Sequence, residues 1–188
     1  MSEVNLTENL EKNKDFLQHL EEESGQKPGQ CFQCMKCTGG CPFQFTMDYP
    51  PNMIMRMLQD GMVDEVLNSF TIWTCATCAT CTTRCPRDID IARVMDTLRV
   101  IAYHKGIHKK AKNMYVFHST FMKSVGGHGR LYEVGLALGL NLGTGNLLKD
   151  AEFGLPLFLK GKLSPFPHNI KGLDEIKKLY AYARRIGE

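Results

Sequence analysis

The chain begins with apolar residues at roughly helical spacing. Within residues 5 to 24 these positions are Leu6, Leu10, Phe16, Leu17 and Leu20. Gly25 and Pro28 follow, and helices commonly end at such residues. The pattern predicts a short amphipathic helix with a packing role.

A second helical pattern follows Pro50 and Pro51, which suit the first turn of a helix. Its apolar positions are spaced i, i+3 and i+4, at Ile54, Met57 and Leu58. Gly61 can end this helix. Another turn or two is predicted through Val63, Val66 and Leu67.

A third helix is predicted to start after Asp90, which is a suitable capping residue. One continuous apolar face is formed by Ile91, Val94, Leu98 and Ile101. The helix is expected to end near Gly106.

Helical spacing continues in the C-terminal part. From about Lys109 to Lys123 the apolar positions are Met114, Phe117, Phe121 and Met122. Such aromatic and methionine stripes are usually core. The sequence around His128, Gly126-Gly127-His128-Gly129, predicts a turn. A last amphipathic helix is predicted over Leu173 to Ile186, with one apolar side made by Ile176, Leu179, Tyr180 and Ala183.

Two further segments each allow two interpretations. Gly135, Gly139 and Gly143 are four residues apart, so on a helix they form a bare face that permits close approach of another backbone. This face either packs inside the protein or docks a partner. Residues 153–167 are apolar but broken by three prolines and two glycines. They cannot form a long helix, and they either contact another protein of a complex or cover the core.

Composition limits the class of protein. The 188 residues carry 23 basic and 20 acidic side chains, a net charge of +3, which is too small to indicate nucleic acid or an anionic membrane. The longest nearly uncharged apolar stretch, Val134 to Leu142, has nine residues and is too short to span a bilayer. The polar, acidic N-terminus does not resemble a signal peptide.

All eight cysteines belong to two identical motifs of the form C-x2-C-x2-C-x3-C-P, a pattern that binds [4Fe-4S] clusters. Three closely spaced cysteines can hold one cluster, while the fourth binds the other cluster. The predicted ligand sets are Cys31, Cys34, Cys37 and Cys85 for cluster 1, and Cys75, Cys78, Cys81 and Cys41 for cluster 2. Two such clusters in a small protein form an electron relay.

Other uses of the cysteines fit less well. Disulfides require a secreted chain, structural zinc usually needs two cysteine pairs further apart or histidines, and a thioredoxin-like pair would lie in a βαβ pattern. Thiols reserved for clusters indicate a reducing compartment, so we expect the protein to be cytoplasmic. With clusters of about −2 each, the loaded protein has a charge of about −1.

The two cysteine loops differ in composition, so we expect unequal cluster potentials without predicting their order. The first loop contains Gln33, Lys36 and the pair Gly39-Gly40, whose bare backbone could bring amides close to a cluster. The second loop contains Thr80 and Arg84, among other residues. Lys36 and Arg84 are expected to be solvated surface charges. No catalytic residue, nucleotide-binding motif or histidine site is recognised in the rest of the chain.

The doubled motif, the helical interval with Pro50-Pro51 and the short format together resemble the small iron-sulfur (C) component of the heterodisulfide reductases of methanogenic archaea, within the α-helical ferredoxins. The shared motifs cover roughly Gly29 to Lys105, and all eight ligand positions of the family are filled. Only 30 residues precede Cys31, and none is cysteine, unlike the iron-sulfur subunits of succinate dehydrogenases. The chain also lacks the C-C-G motifs of the catalytic component of heterodisulfide reductases.

The resemblance implies a mainly α protein with an α-helical ferredoxin-type core for two [4Fe-4S] clusters and a helical C-terminal extension. The expected division is an N-terminal helix (1–28), a ferredoxin domain (29–106) and an extension that docks other subunits (107–188). This chain would be a non-catalytic electron-transfer subunit with no active site of its own.

The resemblance also implies partners. Electrons would pass from a flavin-containing, iron-sulfur (A) component of the reductase, through this chain, to the catalytic (B) component that reduces the heterodisulfide of coenzyme M and coenzyme B. A hydrogenase or formate dehydrogenase would be the upstream donor. Two alternatives stay open: a relay in another complex, for sulfur oxidation or quinone chemistry, and a free ferredoxin or redox sensor.

Overall fold

The structure, a computed structural model, describes residues 6–145, 154, 156–157, 159–164 and 166–186. Every regular element within these residues is helical, which confirms the predicted mainly α class. The chain divides into two compact units that meet in sequence between Ala111 and Lys112. No helix in the described ranges combines the length and the apolar character needed to cross a bilayer.

The first unit contains eight α-helices and three short 3-10 turns among its described residues. The α-helices are α1 (Leu6–Lys12), α2 (Lys14–Ser24), α3 (Lys36–Gly39), α4 (Pro51–Gln59), α5 (Val63–Leu67), α6 (Thr71–Thr74), α7 (Thr80–Thr83) and α8 (Ile91–His104). The 3-10 turns are Pro28–Gln30, Gln44–Thr46 and Lys109–Ala111. The helices predicted after Pro50, through Val63 and after Asp90 are therefore confirmed.

The predicted N-terminal helix forms with one interruption, at Asn13. The Asn13 side-chain amide donates to the carbonyl of Asn9 at 3.1 Å and to that of Gly61 at 2.9 Å. Gly61 has a φ of +70°, and a Cβ added there would lie 2.8 Å from the backbone of Asn9. Glycine is therefore required both for the turn after α4 and for the approach of α1.

The core of this unit is built from the apolar faces of α2, α4, α5 and α8. Its fully buried side chains include Leu20, Ile54, Met55, Leu58, Val66, Val94, Met95 and Leu98. Burying one such side chain contributes about 1.5–3 kcal/mol. Asp90 caps α8 as predicted, because its carboxylate accepts from the backbone N–H of Arg93 at 3.0 Å.

The second unit contains α9 (Lys112–His128), α10 (Glu133–Thr144) and α11 (Leu173–Ile186) among its described residues. The turn predicted around His128 is wrong, since α9 continues through Gly126 and Gly127. A Cβ added to Gly126 would lie 3.1 Å from the ring of Tyr180 in α11. This glycine permits close packing, and the chain turns only at Gly129, whose φ is +74°.

The glycine face of α10 packs inside the protein, which decides between the two interpretations of its spacing. A Cβ added to Gly139 would lie 2.6 Å from Thr120 Cγ2, and one added to Gly143 would lie 2.5 Å from Val116 Cγ1. Both contacts join α10 to α9. The face therefore serves the packing of these two helices.

The apolar segment 153–167 is described only in part, since residues 153, 155, 158 and 165 lie outside the described residues. Leu159 and Phe166 within it are 77% and 75% exposed. Its role as a segment that contacts other proteins of a complex stays a prediction.

Candidate metal centres

The two cysteine motifs form two loops of the same design. In each loop a short helix contains the third cysteine: α3 contains Cys37 and α7 contains Cys81. These two helices contact each other, so the two loops lie side by side.

Both loops have left-handed backbone at matching positions. Gln33 and Met35 have φ values of 55° and 61°, and the corresponding residues Thr77 and Ala79 have values of 52° and 58°. This conformation is uncommon for residues other than glycine and costs on the order of 1–3 kcal/mol each. Alternating right- and left-handed residues turn successive N–H groups into one concavity, which favours an anion. A thiolate-bound iron-sulfur cluster is such an anion.

Two pockets lie at these loops, and each is lined by cysteines from both motifs. The first pocket is lined by Cys31, Cys34, Cys37 and Cys85. The second is lined by Cys41, Cys75, Cys78 and Cys81. The buried side chain of Ile91, the first residue of α8, lines both pockets. Each pocket thus has three cysteines from one motif and the last cysteine of the other.

Several thiols are in surroundings that disfavour the free thiolate. Burial raises the pKa of Cys37 and of Cys75. Burial, together with the nearby Cys75, raises the pKa of Cys81 to about 11. At neutral pH these groups hold their protons until a metal displaces them. The exposed Cys78 differs, because a hydrogen bond with Thr80 lowers its pKa.

Polar side chains lie near the sulfur atoms of both loops. Gln33 Nε2 donates to Cys31 Sγ at 3.5 Å. In the second loop, Cys78 Sγ is 3.4 Å from Thr80 Oγ1. Hydrogen bonds to cluster-bound sulfur influence reduction potential. Gln33 and Thr80 are among the residues that differ between the loops and led us to expect unequal cluster potentials.

Each motif is also tied to the helix that follows it, by threonines that the sequence analysis missed. Thr38 donates to the side-chain oxygen of Asn52 in the first turn of α4 at 2.6 Å. The corresponding Thr82 donates to the capping carboxylate of Asp90 at 2.7 Å. Each threonine directly follows the third cysteine of its motif, and this shared position is the signal in the sequence that could have indicated the two contacts.

Gly40 and Arg84 hold corresponding positions in the two motifs and contact each other. A Cβ added to Gly40 would lie 2.6 Å from Arg84 Cδ, so glycine makes room for the arginine side chain. A Cβ at Gly39 would meet nothing within 4 Å. Arg84 and Lys36 are both exposed, which agrees with their predicted role as solvated surface charges.

Comparison with known proteins identifies the cysteine region. Residues 30–89 match the family model of the 4Fe-4S dicluster domain. The chain therefore contains a domain for two [4Fe-4S] clusters, and the left-handed loops and cysteine-lined pockets fit this cofactor. Within the described residues, no group of three or more histidine, cysteine or acidic side chains is arranged to hold a single metal ion.

Three relatives illustrate what the chain is similar to. It is 42% identical over 110 residues to the iron-sulfur C subunit of CoB-CoM heterodisulfide reductase from Methanopyrus kandleri, covering 54% of this chain and 57% of that protein. It is 30% identical over 167 residues to the C subunit of the H2:CoB-CoM heterodisulfide, ferredoxin reductase of Methanothermobacter marburgensis, covering 88% and 80%. It is 28% identical over 199 residues to the iron-sulfur subunit of the 8-methylmenaquinol:fumarate reductase of Wolinella succinogenes, covering 91% and 58%. The chain spans only 57% to 60% of the length of three methanogen relatives that it matches, the Methanopyrus protein among them.

Proposed function

The chain belongs to the family of small iron-sulfur (C) subunits of heterodisulfide reductases, and from this membership we propose that it is the electron-transfer subunit of such a reductase. The observation that carries the proposal is the pair of pockets, each lined by four cysteines, on either side of Ile91. When bound there, two [4Fe-4S] clusters supply two neighbouring one-electron carriers.

The proposed ligands of cluster 1 are Cys31, Cys34, Cys37 and Cys85, and those of cluster 2 are Cys75, Cys78, Cys81 and Cys41. The lining of the two pockets supports this assignment. The left-handed residues at matching positions of both loops support it further, because such backbone can direct N–H groups toward an anion. In this proposal the chain's own residues bind the clusters and adjust their potentials.

The proposed path runs from the flavin-containing (A) component of the reductase, through this chain, to the catalytic (B) component that reduces the CoM-S-S-CoB heterodisulfide. The names of the methanogen relatives support the heterodisulfide as final acceptor. The Methanothermobacter relative belongs to an enzyme named for H2, which supports a hydrogenase as upstream donor; a formate dehydrogenase is the other candidate. In this proposal no residue of the chain touches the substrate, and residues 107–188 dock neighbouring subunits.

Replacing Cys78 tests the proposal in the native complex. Cys78→Ala is expected to remove or convert one cluster, and to abolish heterodisulfide reduction while the catalytic component still binds the disulfide. The measurements are iron content and turnover of the complex purified without oxygen, together with disulfide binding.

The matched control is Thr83→Ala. Thr83 lies in the same motif, is exposed, and its hydroxyl donates to the carbonyl of Thr80. This variant is expected to keep both clusters and normal turnover. If Cys78→Ala loses its cluster and still reduces the heterodisulfide at the normal rate, the relay function is wrong.

A relay in another oxidoreductase is the second candidate. It is favoured by the similarity to the fumarate reductase protein, which extends over 91% of the chain. The two candidates differ in their partners. Mass spectrometry can identify the proteins that co-purify with this chain without oxygen. We expect a protein with C-C-G motifs, which would indicate a heterodisulfide reductase. Dehydrogenase components would indicate the other oxidoreductase. Recovery of the chain alone would favour a free ferredoxin or sensor.

A further inference from the structure

Two side chains clamp the backbone just before the two cysteine motifs in the same way. Gln59 Nε2 donates to the carbonyl oxygens of Pro28 at 3.1 Å and of Cys31 at 3.0 Å. Arg99 Nε donates to the carbonyl oxygen of Ile72 at 2.7 Å, and Arg99 Nη2 donates to that of Cys75. In each case the acceptors include the first cysteine of a motif and the residue three positions before it, and Gln59 Nε2 also lies 3.4 Å from the carbonyl oxygen of Gly29.

The donors correspond as well as the acceptors. Gln59 is the ninth residue of α4 and Arg99 is the ninth residue of α8. The same correspondence holds at the start of these helices, where Thr38 accepts from the backbone N–H of Asn52 and Thr82 from that of Ala92. The first unit therefore repeats one pattern of motif and helix. At the clamp position the repeat differs in charge, with the neutral amide of Gln59 in one half and the cation of Arg99 in the other.

The Arg99 charge is poorly solvated. Its side chain is only 18% exposed, and guanidinium groups stay protonated in proteins. It forms an ion pair with Asp96, whose carboxylate lies 3.5 Å from Arg99 Nη1 and is 54% exposed. Water screens this exposed carboxylate more than the largely covered guanidinium, so a net positive field remains near Cys75.

A different cation lies near the first pocket. The guanidinium of Arg87 is 4.7 Å from the centre of the Phe32 ring, and both residues line that pocket. Arg87 is exposed and Phe32 is 67% exposed, so solvent screens this charge. Arg87 therefore offsets only part of the asymmetry.

We propose that Arg99 sets the two cluster potentials apart, by raising the reduction potential of the cluster held through Cys75, Cys78 and Cys81. Reduction adds one negative charge to a cluster, and a fixed cation nearby stabilises that charge. The amide of Gln59 supplies the same backbone clamp without the charge. The inference rests on the proposed ligand sets, and it makes the cluster of the second motif the first to be reduced.

The test is a redox titration of the cluster-loaded full chain, followed by electron paramagnetic resonance. Arg99→Gln places the side chain of the first clamp in the second, so a donor to the carbonyls remains. We expect the reduction equilibrium of one cluster to become about tenfold less favourable, which lowers its midpoint potential by about 59 mV for one electron. The midpoint potential of the other cluster should not change. Arg99→Lys keeps the charge and is expected to shift the midpoint much less.

A reciprocal variant tests the proposal independently of how well Arg99→Gln folds. Gln59→Arg introduces the guanidinium at the first clamp and is expected to raise the other midpoint. Cys78→Ser, which alters a ligand of the second motif, is expected to change the same signal that Arg99→Gln shifts.

Three results would overturn the role of Arg99. The first is an Arg99→Gln protein with both clusters loaded and both midpoints unchanged. The second is a loaded Gln59→Arg protein with no midpoint raised. The third is an equal shift in Arg99→Lys and Arg99→Gln, which would assign the effect to the clamp rather than to the charge. These measurements need no partner protein, so they are separate from failure of the relay, and iron analysis separates them from failure to bind clusters.

Discussion

At the scale of single residues, the cysteine surroundings combine features that favour a bound cluster. Burial disfavours the thiolates of Cys37, Cys75 and Cys81 unless a cation compensates them. Left-handed residues recur at matching positions of both loops, and backbone of this kind can form anion-binding concavities. The left-handed backbone costs on the order of 1–3 kcal/mol per residue, and the interactions of a bound cluster would offset that cost.

The cross-pairing of the motifs is the sharpest prediction at this scale. Cys41→Ala should disturb the cluster that Cys78→Ala disturbs, although Cys41 belongs to the first motif. Cys85→Ala should disturb the cluster that Cys34→Ala disturbs. The reason is that Cys41 and Cys85 line the pockets of the opposite motif. The spectra and midpoints of the four variants check this grouping.

Double variants provide the control. Cys41→Ala combined with Cys78→Ala should still leave one intact cluster, whereas Cys41→Ala combined with Cys34→Ala should leave none. The opposite grouping, in which Cys41 acts with Cys34, would mean that each motif binds its cluster alone.

At the scale of elements, close helix packing in the second unit depends on missing side chains. Gly143→Ala would place a Cβ 2.5 Å from Val116 Cγ1. Valine is stiff at χ1 in a helix, so α9 and α10 must separate locally. We expect a loss of about 1–3 kcal/mol in the free energy of unfolding, measured by anaerobic denaturant titration of the helical circular dichroism signal.

Two variants show whether contact is the cause. Gly127→Ala changes a glycine of α9 whose added Cβ meets nothing within 4 Å, and it should be neutral or stabilise by about 0.5–1 kcal/mol. Val116→Ala should relieve much of the cost of Gly143→Ala when the two are combined. A Gly143→Ala protein as stable as the unchanged chain would contradict this account of the packing.

The elements also show what the sequence could predict. The apolar face after Asp90 and the capping carboxylate predicted α8 because both signals are local. The continuation of α9 through Gly126-Gly127 was not predictable, because the ring that covers Gly126 belongs to Tyr180, far along the chain. The glycine spacing of α10 predicted close approach, but the partner, Thr120 or a separate protein, depended on the fold.

The candidate site divides in the same way. Cysteine spacing alone predicted two [4Fe-4S] clusters and a set of four ligands for each, because the spacing limits which sulfur atoms one loop can present to a cluster. It did not predict the clamps, because Gln59 and Arg99 become equivalent only when α4 and α8 are aligned in space. The difference in charge between the loops was visible at Lys36 and Arg84, yet the poorly solvated cation is Arg99, in a helix outside the motifs.

At the scale of the whole molecule, the first unit forms a doubled frame in which each motif is fixed to the helix after it, through Thr38 in one half and Thr82 in the other. Such a frame holds two cluster sites side by side on a small helical core. This arrangement suits passage of electrons from one cluster to the other. The second unit adds the close pair α9 and α10, which carries exposed apolar residues such as Leu138 and Leu142. That this unit contacts other proteins of a complex stays a prediction.

In the proposed function, electrons reach the heterodisulfide through this chain. The most direct measurement is freeze-quench electron paramagnetic resonance of the native complex, reduced without oxygen and then mixed with CoM-S-S-CoB. We expect both cluster signals of this chain to disappear at the rate of disulfide reduction, and both to persist when the catalytic component is absent. Disulfide reduction at full rate while these two clusters stay reduced would contradict the proposed function.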